Sequence, residues 1–402
     1  MNYKELIPKD TFIYEYLDFC DNLETSKDFD FWSAVFILST LCKNSIYVNR
    51  PNSRIYLNFY LSFLSNMNYS KKYISIDLVK ETLSRLLKVG EVIYMDKYIT
   101  ENHFKNIVKH VTETTDGCSV CICSDDYASM IKGKMMYGYL NDLFLPKFER
   151  INNGDLLVFR NFINCISSNT LDNYFKIINK IGSETNFINK HIIIYDDKPK
   201  RKIGWSDNEK SFKNICTEGK RIKKFIQKFE PTISLSTKAI QRYCGWYDRR
   251  VIEDNSIIAE YQSYEPDYIL KLAGILCINA YKTVIDETDI SNAIIILKNV
   301  KKNLSNVINL ELTKSVNDEL EKNINRIIKA LTVNKVNGIK HKDLFAKVHT
   351  TMSIEDFNYV INVLHELGCI DKLQPKNRVG IIYKLSKNIT KLNINYLLKQ
   401  FN

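Results

Sequence analysis

Ile55-Tyr56-Leu57-Asn58-Phe59-Tyr60-Leu61-Ser62-Phe63-Leu64, followed by Ser65-Asn66-Met67-Asn68-Tyr69-Ser70-Lys71-Lys72, is the stretch on which the reading of this chain turns. Its apolar half is rich in aromatic and aliphatic residues and ten residues long, which predicts a buried strand. A compact polar bend, Asn49-Arg50-Pro51-Asn52-Ser53, precedes it. Beyond the polar loop, Ile76, Val79, Leu83, Leu86 and Leu87 recur at helical spacing and predict an amphipathic helix. Strand, loop, helix is the layout of a βα unit whose loop and helix N-terminus can hold a phosphate.

Outward from this unit, four more segments read as buried strands: 119–123, 156–159, 164–167 and 191–195. Three close on polar residues, Ser124-Asp125-Asp126, Ser168-Asn169 and Asp196-Asp197. Strands separated by helical segments predict an α/β domain with a largely parallel sheet over 45–200. Before it, Phe12, Tyr16, Phe19 and Cys20, then Phe31, Ala34, Val35, Leu38 and Leu41, predict a helical N-terminal region over 1–44. After it, 201–312 reads as a basic connector followed by helices, the most apolar being 268–276. Across 198–228, eleven Lys and Arg stand against three acids. The last module, 316–402, reads as three helices and a hairpin, the winged-helix plan. Ser353 caps its third helix and Gly368 ends it.

Composition bounds the function. With 402 residues, 45% hydrophobic and 26% charged, the chain is globular rather than disordered or fibrous. Its net charge of +11 favours a polyanion partner. The longest apolar run, 32–42, is too short to span a bilayer, and 1–10 lacks the apolar core of a signal peptide. Ten scattered cysteines point to buried thiols in a reducing cytoplasm, not to zinc, so no metal is expected.

A phosphate loop needs Gly-x-x-x-x-Gly-Lys-Ser/Thr between strand and helix. Ser65 to Lys72 keeps the spacing and context, with Ser65 and Ser70 at the glycine positions, Lys71 at the lysine and Lys72 at the magnesium hydroxyl. These four are the candidate cofactor-binding residues. With only 13 glycines in the chain, backbone wrapping of a triphosphate is disfavoured. ATP is expected to bind weakly at most, through the Lys71 charge.

In order of elements the chain resembles the DUF3987-type, primase-helicase-like P-loop ATPases of phages and mobile elements, within the AAA+ group. The resemblance spans about 10–310, from Phe31-Trp32-Ser33-Ala34 through the 65–72 loop to Leu270-Lys271-Leu272-Ala273 and 289–297. It implies an AAA+/RecA-like P-loop sheet domain with helical N-terminal and lid regions. It marks Asp125 and Asp126 as the Walker B end, Asn169 as the sensor and Lys190 as the finger-like cation. Every departure falls on a catalytic position, so the expectation is a fold kept and hydrolysis lost.

Other chemistries fit less well. The six histidines lack a neighbouring nucleophile motif, and the Asp125-Asp126 and Asp196-Asp197 pairs lack an accompanying nuclease pattern. The expected function is a DNA-binding replication accessory protein of a phage or mobile element. Its expected partners are DNA and an active ATPase paralogue, primase or polymerase. Alternatives are a transcription regulator, an interaction scaffold, or a weakly active ATPase. Candidate DNA contacts are Lys200, Arg201, Lys202, Arg221, Lys223 and Lys224 in the connector, with Lys340, Lys342, Lys376 and Arg378 in the last module. The third helix there carries Glu355, Asp356 and Glu366 and no Lys or Arg, which disfavours base reading by that helix.

Overall fold

The computed structural model describes residues 1–51, 53–66, 70–96, 100–114, 118–125, 140, 144, 149–150, 156–157, 161–181, 190–197, 202–203, 209–228, 230–253, 256–333, 338–366, 368–374 and 380–386. The chain divides into two compact units, Met1–Val307 and Ile308–Asn402.

The first unit begins with α1 (Phe12–Cys20), α2 (Lys27–Cys42), β1 (Tyr47–Arg50), β2 (Ser53–Tyr56), β3 (Tyr60–Leu64) and α3 (Lys72–Leu86). It continues through β4 (Ile93–Met95), α4 (Glu101–Thr114), β5 (Cys118–Ser124), β6 (Glu149–Arg150), β7 (Leu156–Leu157), β8 (Asn161–Asn169), α5 (Leu171–Ile181) and β9 (His191–Tyr195). Then follow α6 (Glu209–Gln227), β10 (Thr232–Leu235), α7 (Thr237–Tyr247), α8 (Ser256–Asn279), β11 (Val284–Ile285) and α9 (Glu287–Thr332), within which the division into units falls.

Five strands form a parallel sheet in the order β4-β5-β8-β3-β9. All five therefore end at one edge. Its centre is apolar on both faces: every residue of β3 is buried, as a parallel sheet covered by helices requires. Beside the sheet lies α2, in which 14 of 16 residues are buried. A helix apolar all round can only be a core helix. Phe29 stacks on Phe63 at 4.6 Å, and the hydroxyl of Ser39 donates to the Leu57 carbonyl.

The apolar run 55–64 is not one strand. Residues 53–56 pair antiparallel with β1 in a second sheet, β11-β10-β1-β2, while 60–64 join the parallel sheet. The break falls at the polar residue within the run. Buried Asn58 donates through Nδ2 to the carbonyls of Phe144 (3.0 Å) and Ile163 (3.2 Å), and both its oxygens accept from Lys271. A buried amide needs such partners, and taking them turns the backbone out of the ladder. Similarly, 156–157 pair antiparallel with 149–150, outside the five-stranded sheet, and 158–159 lie outside the described residues.

The basic connector contains a packed helix. Ile215, Ile222 and Ile226 of α6 are buried, and Gly219 approaches α3 so closely that a Cβ would stand 2.7 Å from Leu86 Cδ1. Its phenylalanines are used in packing: Phe212 against Phe19 at 5.6 Å, Phe225 against Tyr281 at 5.5 Å.

The second unit contains the end of α9, β12 (Ile339–Lys340), α10 (His341–Val348), α11 (Ile354–Glu366), β13 (Ile370–Leu373) and β14 (Ile382–Leu385). Its antiparallel sheet has the order β12-β14-β13. Ile327, Leu344, Phe357, Val360, Leu364 and Tyr383 lie in one core. The Ser353 hydroxyl accepts from the Asp356 N–H at 3.1 Å, capping α11, and Gly368 takes φ +66° just beyond its end. Among the described residues, no helix is long and apolar enough to cross a membrane.

Candidate functional site

Leu64 pairs in register with Asn169 on one side and Tyr195 on the other, so three neighbouring strands end level. The chain leaves β3 towards the β4 edge, while β9 lies on its opposite flank. Such a switch, at the carboxyl ends of parallel strands, is where open α/β sheets bind ligands. The ladder continues one residue further: Ser65 N–H donates to the Asn169 carbonyl (3.3 Å) and Asp196 N–H to the Leu64 carbonyl (3.2 Å). The start of the 65–72 loop is thereby fixed.

Side chains of the molecule itself bond to the described ends of this loop. Lys72, only 9% exposed, donates through Nζ to the Ser65 carbonyl at 2.8 Å. Burial pushes its pKa down, and the Asp197 charge opposes that shift. Asp197 Oδ1 accepts from the Asn66 N–H at 2.9 Å and the Ser65 hydroxyl at 3.1 Å. Its Oδ2 accepts from the Tyr195 hydroxyl at 3.3 Å, and burial together with this carboxylate raises the Tyr195 pKa to about 12. In a phosphate loop, backbone N–H groups of this kind point at the ligand. Here the Asn66 N–H is taken by the Asp197 carboxylate, and the Lys72 ammonium is held by the Ser65 carbonyl.

Lys71 precedes α3 in the left-handed conformation, φ +48° and ψ +36°, which costs a residue with a Cβ about 1–2 kcal/mol. Its Nζ lies 3.9 Å from Glu24 Oε2, a loose pair with both side chains about one-third exposed. Two buried groups by the loop lack partners among the described residues: the Ser70 hydroxyl and both polar atoms of the Asn169 amide. Each is of the kind that a buried site ordinarily satisfies.

Asp125, one of the two acids expected at a Walker B end, is already engaged. Asp125 Oδ2 accepts from Lys80 Nζ of α3 at 2.9 Å, and its carbonyl accepts from Ser168 Oγ at 2.7 Å. Burial alone would lower the Lys80 pKa, but Asp125 and Asp77 outweigh it and raise it. Asp126 lies outside the described residues. Among the described residues, no group of three or more His, Cys, Asp or Glu could hold a metal ion.

Lys190 is not brought to the loop. It precedes β9 at the sheet's opposite edge and is 6% exposed, with its ammonium 5.6 Å from the Phe144 ring centre and 5.9 Å from that of Tyr264. The nearby charge of Lys190 and, above all, burial lower the pKa of Lys271 to about 7. A side chain buried in this way does not project to a neighbouring subunit.

The basic candidates divide. Lys223 is spent on structure, donating to Glu91 at 2.6 Å and to the Leu86 carbonyl at 2.7 Å. Arg221 lies 4.7 Å over the Tyr281 ring and pairs with Glu218. Lys224 and Lys202 are exposed, as are Lys340 and Lys342 in the second unit. Lys200, Arg201, Lys376 and Arg378 lie outside the described residues. What counting charges missed is their face: Lys213, Lys220 and Lys224, at steps of seven and four, are all exposed and form one stripe along α6, with exposed Lys228 just beyond its end. Asp197 was legible only as the end of a strand, because its role depends on which strand lies beside β3. No family model matches the chain, and no curated protein matches it significantly.

Proposed function

We propose that this chain is a degenerate relative of primase-helicase-like P-loop ATPases of the AAA+ group, acting in the cytoplasm as a DNA-binding accessory factor in the replication of a phage or mobile element. The observation that carries the reading is the loop at the sheet's switch point. It has the length, strand and helix of a phosphate loop, yet Lys72 and Asp197 bond to its described ends. The sensor position, Asn169, lies between that loop and Asp125 in the strand order, which supports the same descent. Hydrolysis would need a metal-binding hydroxyl and an available carboxylate. Lys72 replaces the first, and Lys80 holds Asp125.

The exposed lysine stripe on α6 supports DNA binding by phosphate contact, without base readout. Three helices with a three-stranded antiparallel sheet support a winged-helix reading of the second unit. A second role for that unit is favoured by the outer surface of α11. There Ile354 (46%) and Tyr359 (57%) stand exposed beside Glu355 and Asp356, a surface suited to a protein partner such as a primase, a polymerase or an active paralogue.

The deciding experiment measures ATP turnover and oligonucleotide binding on one preparation of the full chain. Turnover no higher than in Lys71→Ala, with salt-sensitive DNA binding, supports the reading. Robust magnesium-dependent turnover abolished by Lys71→Ala would refute the degenerate-ATPase part. An absence of DNA binding at low salt would leave the scaffold role.

A further inference from the structure

Helix α7 lies on the surface of the first unit: of its 11 residues only Ala239 is buried, and Ser236 caps it by accepting from Ala239 N–H at 3.2 Å. Its aromatic side chains nevertheless form an ordered group. The Tyr243 ring centre lies 5.9 Å from that of Trp246 and 6.3 Å from that of Tyr247, with Trp246 and Tyr247 6.4 Å apart. The Arg250 guanidinium sits 5.3 Å from the Trp246 ring centre and 5.0 Å from that of Tyr247, anchored by donation to the Gln262 carbonyl at 2.7 Å. Tyr247 is 46% exposed and Ile240 48%.

Two of these rings, Tyr243 and Tyr247, border a cavity of about 480 Å³, which Ile240 and Asp248 of this segment line with Leu235 and Arg50. That volume falls within the range of small-ligand sites. The walls are aromatic and aliphatic, while the surroundings are cationic. Over 238–250, Lys238, Arg242, Arg249 and Arg250 stand against one acid, Asp248. Exposed Arg54 of β2 adds charge, while Arg50 at the end of β1 is paired with Asp267 at 3.3 Å.

The geometry points to a binding platform for single-stranded nucleic acid, in which an unstacked base enters the cavity against Tyr243 and Tyr247 while the flanking arginines follow the backbone. This rests on the nucleic-acid reading above and gives it a second, chemically different site. Aromatic faces accept any base, and cation–π contacts from arginine add to stacking. A duplex keeps its bases stacked inside and cannot use the cavity, whereas the α6 lysines serve single and double strands alike. Asp248 at the cavity wall can accept from an exocyclic amine.

The test is fluorescence anisotropy of the full chain on a labelled single strand and on its duplex, across salt concentrations. Tyr247→Ala is expected to weaken single-strand binding by about tenfold or more and to leave duplex binding within about twofold. Tyr247→Phe, which keeps the ring, is expected to retain parental affinity. Arg249→Ala is expected to lower the magnitude of the single-strand salt slope by about 0.7. If Tyr247→Ala does not fold, Ile240→Glu places a carboxylate at the cavity and is expected to reproduce the selective loss.

Unchanged single-strand affinity in folded Tyr247→Ala, while alanines on the α6 stripe weaken binding, overturns the platform and leaves the DNA-binding reading standing. Equal losses on single strand and duplex overturn base stacking. No binding of any oligonucleotide overturns both. Self-association relieved by Tyr247→Ala, without any single-strand effect, marks a protein-docking patch and also overturns the platform.

Discussion

The Lys72 ammonium lies 2.8 Å from the Ser65 carbonyl oxygen, so the last residue of the loop reaches back to close it on the first. Asp197 completes the closure from the neighbouring strand by taking the Asn66 N–H. A phosphate entering here would meet a carboxylate at the Asn66 N–H. Two like charges about 4 Å apart cost ~4 kcal/mol at an effective dielectric near 20, enough to offset what one lysine offers.

Emptying the loop should therefore improve nucleotide binding. The double variant Lys72→Thr/Asp197→Ala supplies a metal-binding hydroxyl and removes the competing carboxylate. Titration with a fluorescent ATP analogue and magnesium is expected to show tighter binding than in the parent. Equal affinities would mean that something other than these two side chains excludes the nucleotide.

The two lysines of the loop should differ in their effect on stability. Lys72→Met removes the buried hydrogen bond from its ammonium to the Ser65 carbonyl, a loss of about 1–3 kcal/mol. Lys71→Met removes only a loose, partly exposed pair with Glu24 and should stay within about 0.5 kcal/mol. Urea midpoints followed by circular dichroism compare them. A Lys71 variant less stable than the Lys72 variant would contradict the assignment.

Two buried groups should give the pH–stability profile opposite slopes. Asp30, hydrogen-bonded by Thr25 Oγ1 at 2.9 Å, has its pKa raised to about 8, chiefly by burial. From roughly pH 4 to 8 the folded state keeps a proton that the unfolded chain has lost. Its contribution to stability is therefore full at low pH and lost as pH rises through that window. Lys271, lowered to about 7 mainly by burial, gives up its proton in the folded state while the unfolded chain keeps it. Its contribution therefore rises from about pH 7 towards 10. Each slope approaches ~1.4 kcal/mol per pH unit. Asp30→Asn should flatten the acid side of the urea-midpoint profile and Lys271→Met the alkaline side. A parental profile unchanged in both variants would rule these groups out.

Local pattern carried much of the fold. The apolar residues of β3 and β9, and the Ser353 cap of α11, were legible because each is decided by its immediate neighbours. Lateral order was not. Asp197 reaches the loop only because β9 lies beside β3, and no stretch of sequence states that adjacency. The break at Asn58 had a signal, an amide inside an apolar run, but its partners come from residues 144, 163 and 271. Charge counting treated Lys223 as equal to Lys224, although one turns inward to Glu91 and the other outward. The strands β10 and β11, of four and two residues, were too short to stand out from their helical surroundings.

That inward and outward division of α6 yields a separate prediction. Lys213, Lys220 and Lys224 share an exposed face of α6 and Lys228 stands exposed just past its end, so replacing all four with alanine should remove up to four phosphate contacts. The slope of log K against log salt should then fall in magnitude by as much as about 3.6 on duplex and 2.8 on single strands. Stability should hardly change, because none of the four is buried. Lys223→Ala should do the reverse. Its ammonium holds Glu91 and the Leu86 carbonyl, so the variant should unfold earlier while its salt slope stays that of the parent. Glu91→Gln weakens the same pair and should give a smaller loss of the same kind. Anisotropy against salt and thermal unfolding, run on all three variants, separate the roles. A normal salt slope in the fourfold variant, or a Lys223→Ala protein that keeps its stability and loses its DNA, would show that the wrong face of α6 has been assigned to nucleic acid.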